Sequence, residues 1–200
     1  MVKRHKTHIQ NLINKNINEI YSTTQEIFLS FCGKEIALAI EKILECYTRS
    51  PKGKVVLFGN GGSALDAQHF CCELVGRFRR ERKGLPAIAL NTDISVLTAL
   101  SNDYSYEIVF CRQVQALVNK NDVVFGISTS GNSLNIIRGV EEAKKLGAYT
   151  IALTGKDGGK LKNIADLCIR VPSNDTPRIQ EMHTMVIHII CDAIEEILFC

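Results

Sequence analysis

Short apolar runs that each give way to a glycine- or serine-rich turn and then to a helical pattern restrict the fold of this chain more than any other feature. Residues 54–58 (Lys54, Val55, Val56, Leu57, Phe58) run into Gly59-Asn60-Gly61-Gly62-Ser63 and then a 3.6-residue pattern to about Val75. Residues 86–90 form a second run, followed by helical segments at 94–100 and 106–118. Residues 122–127 lead into Ser128-Thr129-Ser130-Gly131-Asn132-Ser133 and a helix to Lys145, and residues 148–153 and 166–171 complete the set. Continuous apolar runs of this length, alternating with helices, predict a parallel sheet covered on both faces.

Two helices are expected ahead of the first strand. Ile9, Leu12, Ile13, Ile17, Ile20, Ile27 and Phe28 form a stripe over residues 8–31, with Gly33 as the expected break. A second helix covers 36–47 and is ended by Pro51 and Gly53. No Pro/Gly/Ser linker separates them from the sheet, so residues 1–200 are read as one domain with a helical extension over about 1–50. Near the other end, Thr176 is the expected N-cap of a last helix, with Pro177 at its first position. Residues 185–190 are apolar nearly all round except His188, so burial is expected, here between subunits.

Composition narrows the function classes. No stretch approaches the roughly 18 apolar residues of a membrane span, and the basic start lacks a signal peptide's apolar core, so a cytoplasmic protein is expected. Net charge is +3, from 24 basic and 21 acidic residues, too balanced to imply nucleic acid. The basic run Arg77, Arg79, Arg80, Arg82 and Lys83 reads as a solvated helix end, with Arg77 close enough to the loops to be a site candidate. Eight cysteines (32, 46, 71, 72, 111, 168, 191 and 200) include no Cys-x-x-Cys pair and read as reduced thiols acting as small hydrophobes.

Ligands of open parallel sheets bind beyond the carboxyl ends of the strands. Both the Gly59–Ser63 and the Ser128–Ser133 loops leave strand ends and open helices, where unpaired N–H groups suit a phosphate. One cap needs one hydroxyl, and four in six residues exceeds that need. No nucleotide P-loop occurs. The Gly-x-Gly-x-x-Ala match to a dinucleotide turn lacks its acid, because Asp93 comes too late, so a dehydrogenase ranks third. His69 and Glu73 share a helix face at i, i+4, suited to a metal, to acid/base work or to a plain surface hydrogen bond. On the last helix Gln180, His183 and His188 are candidates, with His188 the one among isoleucines and His183 read as structural or exposed.

Together these segments, with Glu73-Leu74-Val75-Gly76-Arg77, Ser101-Asn102-Asp103, Leu153-Thr154-Gly155-Lys156-Asp157-Gly158-Gly159 and Arg178-Ile179-Gln180-Glu181-Met182-His183, resemble the phosphoheptose isomerases, a family of sugar isomerase (SIS) domain proteins. The resemblance implies a three-layer, flavodoxin-like sandwich whose N-terminal helices pack in an oligomer. It implies conversion of sedoheptulose 7-phosphate to D-glycero-D-manno-heptose 7-phosphate, the first step toward bacterial heptose for lipopolysaccharide or capsule. It further implies a homotetramer with shared sites, no nucleic-acid or membrane partner, and one zinc per subunit. By position, zinc would be held by His69, Glu73, Gln180 and His188; Glu73 and His188 would be catalytic. Asn60, Gly61, Gly62, Ser63, Glu73, Asn102, Asp103, Ser128, Thr129, Ser130, Ser133 and Gln180 would bind substrate. Gln180 and His188 lie eight residues apart, about 12 Å on one helix, so one of them is expected from a neighbouring subunit. The competing reading is a non-catalytic SIS-domain regulator that binds a sugar phosphate, or a replication-initiation partner.

Overall fold

The structure, a computed structural model, describes the backbone of residues 2–29 and 32–199 and the side chains of 9–26 and 33–199. Five strands, β1 (Val55–Gly59), β2 (Ala87–Ala89), β3 (Val123–Ser128), β4 (Tyr149–Thr154) and β5 (Leu167–Arg170), form one parallel sheet in the order β2-β1-β3-β4-β5. Every residue of β1 and β3 is buried, which is why those runs read as continuously apolar. Alternate side chains then serve opposite faces. Val55 and Leu57 join one core with Val123, Phe125 and Ile127, whereas Val56 and Phe58 join the other with Val124.

The first face is covered by α2 (Cys32–Thr48), α3 (Gly62–Val75) and α8 (Thr176–Phe199). The second carries α4 (Ile94–Asp103), α5 (Val109–Leu117), α6 (Leu134–Lys145) and the short α7 (Leu161–Ile164). Three layers result. Ile36, Ala39, Ile43, Cys46 and Tyr47 of α2 sit in the same core as the sheet. The expected elements are met to within their ends, α7 was not expected, and three further differences are informative. Gly33 does not break a helix: it stands in the first turn of α2, and the chain between α1 (Val2–Leu29) and α2 is residues 30–31. The last helix starts a residue early, because the Asp175 carbonyl accepts the first helical bond, from the Ile179 N–H at 3.0 Å. Asp175, not Thr176, is therefore its N-cap. Asp93 is also a cap: its side chain accepts the Val96 N–H at the start of α4, so it is no ribose-binding acid.

α1 touches the body through Ile20 and Thr24, near Met182, and through its Asn16 carbonyl, which Arg178 bonds. The expected stripe is otherwise uncovered: Ile9, Leu12, Ile13 and Ile17 are all exposed, while Ile27 and Phe28 lie outside the described side chains. Among the described residues no helix is long and apolar enough to cross a membrane. Cys46, Cys71, Cys72, Cys111 and Cys191 are free thiols. Burial pushes the Cys46 thiol up to about 11 and raises that of Cys191 as well, as expected of thiols used as small hydrophobes.

Candidate functional site

Strand order reverses direction at β1, which has β2 on one side and β3 on the other. That switch point is where a doubly wound sheet opens its ligand crevice. The two expected phosphate loops leave β1 and β3 side by side there, with Gly59 of β1 in register with Ile127 of β3. Gly61 takes the N-cap of α3 with φ +54°, a conformation that side chains disfavour, and offers no side-chain cap. Ser133 takes the N-cap of α6, and it too makes no capping bond. Its hydroxyl instead meets that of Ser128 at 3.2 Å, while the Ser130 hydroxyl accepts the Asn132 N–H. The serines of this loop are thus not spent on capping their own helix, which leaves its N-terminal donors for an anion.

The second loop is held from below. Gly155 N–H bonds the Thr129 carbonyl, Leu161 N–H bonds the Gly131 carbonyl, and Lys160 N–H bonds Asn132 Oδ1. Gly131 has φ +65°, and a Cβ there would lie 2.0 Å from the Gly158 carbonyl oxygen. Gly131→Ala is therefore expected to cost at least about 1–2 kcal/mol from the backbone alone and to weaken phosphate binding. Thermal denaturation with and without inorganic phosphate measures both; a variant as stable and as phosphate-responsive as wild type would remove this loop from the site.

α3 and α8 lie side by side and run in the same direction. Gly62 faces Gln180, Asp66 faces Thr184, and His69 faces His188. His69 Nε2 and His188 Nε2 are 2.8 Å apart. Two lone pairs that close repel, so one ring donates an N–H to the other. On the other side of the His69 ring, Nδ1 is 3.6 Å from Glu73 Oε1. His69, Glu73 and His188 thus form one cluster in one chain. Gln180 is not part of it: its amide fills the space where a Gly62 Cβ would stand, about two helical turns away. Both rings carry nitrogen donors of the kind zinc takes, although a tetrahedral zinc at about 2.0–2.1 Å from each would set them roughly 3.3 Å apart. Among the described residues, however, no group of three or more His, Cys, Asp or Glu converges as a metal site. The expected four-donor set is therefore not assembled within a single chain.

Of the two histidines of α8, His183 takes the structural role expected of it and His188 the partnered one, although His188 is less buried than its isoleucine neighbours imply. His188 is half-buried, while His183 is fully buried and meets the Thr154 carbonyl through Nε2 at 3.1 Å. The Nε2–H must donate there, which leaves His183 Nδ1 facing Asp66 Oδ2 at 3.8 Å, neither with another partner. This is the core histidine. Asn102 and Asp103 bond one another at the exposed end of α4. Arg77 is exposed and pairs with Glu81.

Three features were not anticipated. Arg82 is no solvated charge: its side chain is 2% exposed and that of its partner Glu195 3%. Arg82 also bonds the carbonyls of Glu73, Leu74 and Gly76, closing the end of α3, while Glu195 accepts the N–H groups of Phe78, Arg79 and Arg80. Phe78 is thereby laid against the His188 ring, centroids 5.4 Å apart. A glutamate seven residues after His188, on the face shared with Cys191 and Ile194, was the available signal for this pair. Finally, Asn135 and Tyr106 both bond Asn60.

A family model described as the SIS domain matches residues 19–155. A phosphoheptose isomerase from Helicobacter pylori is 54% identical over 187 residues, covering 94% of this chain and 96% of the relative. The solved phosphoheptose isomerase of Neisseria gonorrhoeae superposes with a TM-score of 0.88 at 41% identity, covering 94% of this chain and 99% of that one. That of Francisella tularensis gives 0.89 at 39% identity, covering 94% and 98%. With this shared fold, length and sequence, the chain belongs to the SIS domain family and, within it, to the phosphoheptose isomerases.

Proposed function

We infer that the chain is an aldose–ketose isomerase that converts sedoheptulose 7-phosphate to D-glycero-D-manno-heptose 7-phosphate, in the first step of bacterial heptose synthesis. The observation that carries this reading is the placement of an acid/base cluster on the helix that also opens the phosphate crevice. His69 lies about 9 Å along α3 from Ser63, comparable to the span of an extended seven-carbon phosphate. With Ser63, Ser128, Thr129, Ser130 and Ser133 on the phosphate, the reacting end of the sugar is carried toward Glu73 and His188.

Isomerisation removes a proton from the carbon next to the carbonyl and returns it to the neighbouring carbon, through an enediolate. Glu73 is the base for that transfer, and its position beyond the far nitrogen of His69 leaves the carboxylate available for it. His188 moves the proton between the two oxygens. Zinc, one per subunit, is proposed on His69 and His188, where it would supply Lewis-acid polarisation of the carbonyl. Since His188 meets His69 of its own chain, Gln180 is the donor expected from a second copy. The exposed stripe Ile9, Leu12, Ile13 and Ile17 supports a homotetramer as its setting.

The test is turnover of sedoheptulose 7-phosphate by purified protein, followed as proton exchange at the two reacting carbons, with and without a chelator. Turnover lost on chelation and restored by zinc is the expected result. Turnover indifferent to chelation would remove the metal and leave Glu73 and His188 as plain acid/base groups. Tight binding of the sugar phosphate without turnover would replace the isomerase by a sensor. Sedimentation of the same preparation is expected to show four copies, and a fully active monomer would overturn the shared site.

A further inference from the structure

Asn60 stands directly beyond β1, and its amide is held from two sides. Asn60 Nδ2 donates to Asn135 Oδ1 at 2.9 Å, and Asn135 Nδ2 donates back to Asn60 Oδ1 at 2.8 Å. Side-chain amides can be turned over without changing their shape, so such a pair is ambiguous until a group of fixed polarity joins it. One does. The Ile136 backbone N–H, which can only donate, reaches Asn135 Oδ1 at 3.0 Å. That fixes the oxygen of Asn135, which in turn fixes the nitrogen of Asn60 opposite it.

The Tyr106 hydroxyl lies 2.9 Å from Asn60 Oδ1. Facing an oxygen, it donates. A carbonyl oxygen has two lone pairs, and those of Asn60 are now filled by Tyr106 and Asn135. One hydrogen of its NH₂ group goes to Asn135, and the other is left. Asn135 is buried and Asn60 half-buried, so the remaining Asn60 hydrogen is the one available to a ligand.

We propose that Tyr106 and Asn135 are positioning residues that lock Asn60 as a hydrogen-bond donor, so that the substrate presents an oxygen acceptor to it. This rests on the sugar-phosphate reading of the crevice. The acceptor is either a phosphate oxygen or a hydroxyl or carbonyl oxygen of the sugar.

Tyr106 is 55% exposed, so Tyr106→Phe removes the hydroxyl without disturbing the core. The expected result is a KM for sedoheptulose 7-phosphate about three- to tenfold higher, the range of one lost hydrogen bond, with a smaller change in kcat. Asn60→Asp, which presents an acceptor in place of the donor, is expected to raise KM more than tenfold. A tyrosine that only stabilises the fold would lower the melting temperature and leave KM where it was, which overturns the proposal. So would Asn60→Asp with wild-type KM. Competition by inorganic phosphate separates the two acceptors: inhibition weakened in parallel with KM assigns a phosphate oxygen, and unchanged inhibition assigns a sugar oxygen. If the wild type neither turns over nor binds the sugar phosphate, the functional reading fails. The hydrogen-bond assignment is then decided separately by whether Tyr106→Phe shifts the Asn60 side-chain amide resonances.

Discussion

Glu73→Gln is expected to lower kcat by about 10²- to 10⁴-fold, the usual contribution of a positioned general base, while leaving the protein folded. Glutamine keeps the shape of the side chain and its place beside His69 Nδ1, 3.6 Å away, but cannot accept a proton at neutral pH. The bond that Glu73 makes to Arg82 uses its main-chain carbonyl, which the substitution does not touch. Stability is therefore expected to change by no more than about 1 kcal/mol, the scale of one hydrogen bond. Steady-state turnover, solvent hydrogen exchange into the sugar and a melting curve decide the matter together. Exchange should disappear along with turnover, since both need the same proton removal. A variant within about threefold of wild-type kcat would place the base elsewhere.

The largest loss of stability is expected from Glu195→Ala. It removes the acceptor of three backbone N–H groups and strands the buried Arg82 guanidinium, whose Nε lies 2.8 Å from Glu195 Oε2. Breaking a buried pair in this way costs about 3–5 kcal/mol, which chemical denaturation at neutral pH would read directly. Glu195→Gln, which retains one acceptor oxygen, is expected to fall between the two. Activity should fall too, because the same bonds hold Phe78 against His188 and close the end of α3 beneath Glu73. Loss of less than about 1 kcal/mol would mean that the segment from Phe78 to Arg82 is held by its surface ion pairs instead.

The same carboxylate gives a pH signature. Burial alone would raise its pKa, but the three N–H donors and Arg82 outweigh it and bring the group from 4.5 down to about 2. A carboxylate lowered on folding stabilises the native state fully above its unfolded pKa and loses that contribution as pH falls toward the folded one. Wild-type stability should thus decline between about pH 4.5 and 2 more steeply than that of Glu195→Ala.

What was legible in the sequence was local. The period of the apolar residues gave five strands and most of the helices between them, because burial on both faces imposes a continuous run and burial on one face of a helix imposes a 3.6-residue stripe. Glycine and serine at the strand ends gave both phosphate loops, and the i, i+4 spacing put Glu73 beside His69. Tertiary structure decided how those pieces meet. The sequence singled out His188 and set His183 aside as structural or exposed, but residues 185–190 are apolar almost all round and no period could say what either ring meets. The parallel docking of α3 and α8 answered that, burying His183 against β4 and setting His188 on His69, 119 residues away in the chain. It also turned Arg82 from an expected solvent charge into a buried one. Asn60, Tyr106 and Asn135 are likewise brought together from the ends of β1, the turn before α5 and the start of α6. Local periodicity reports which side of an element is buried, but partnership between polar groups depends on the angle and register at which distant elements pack.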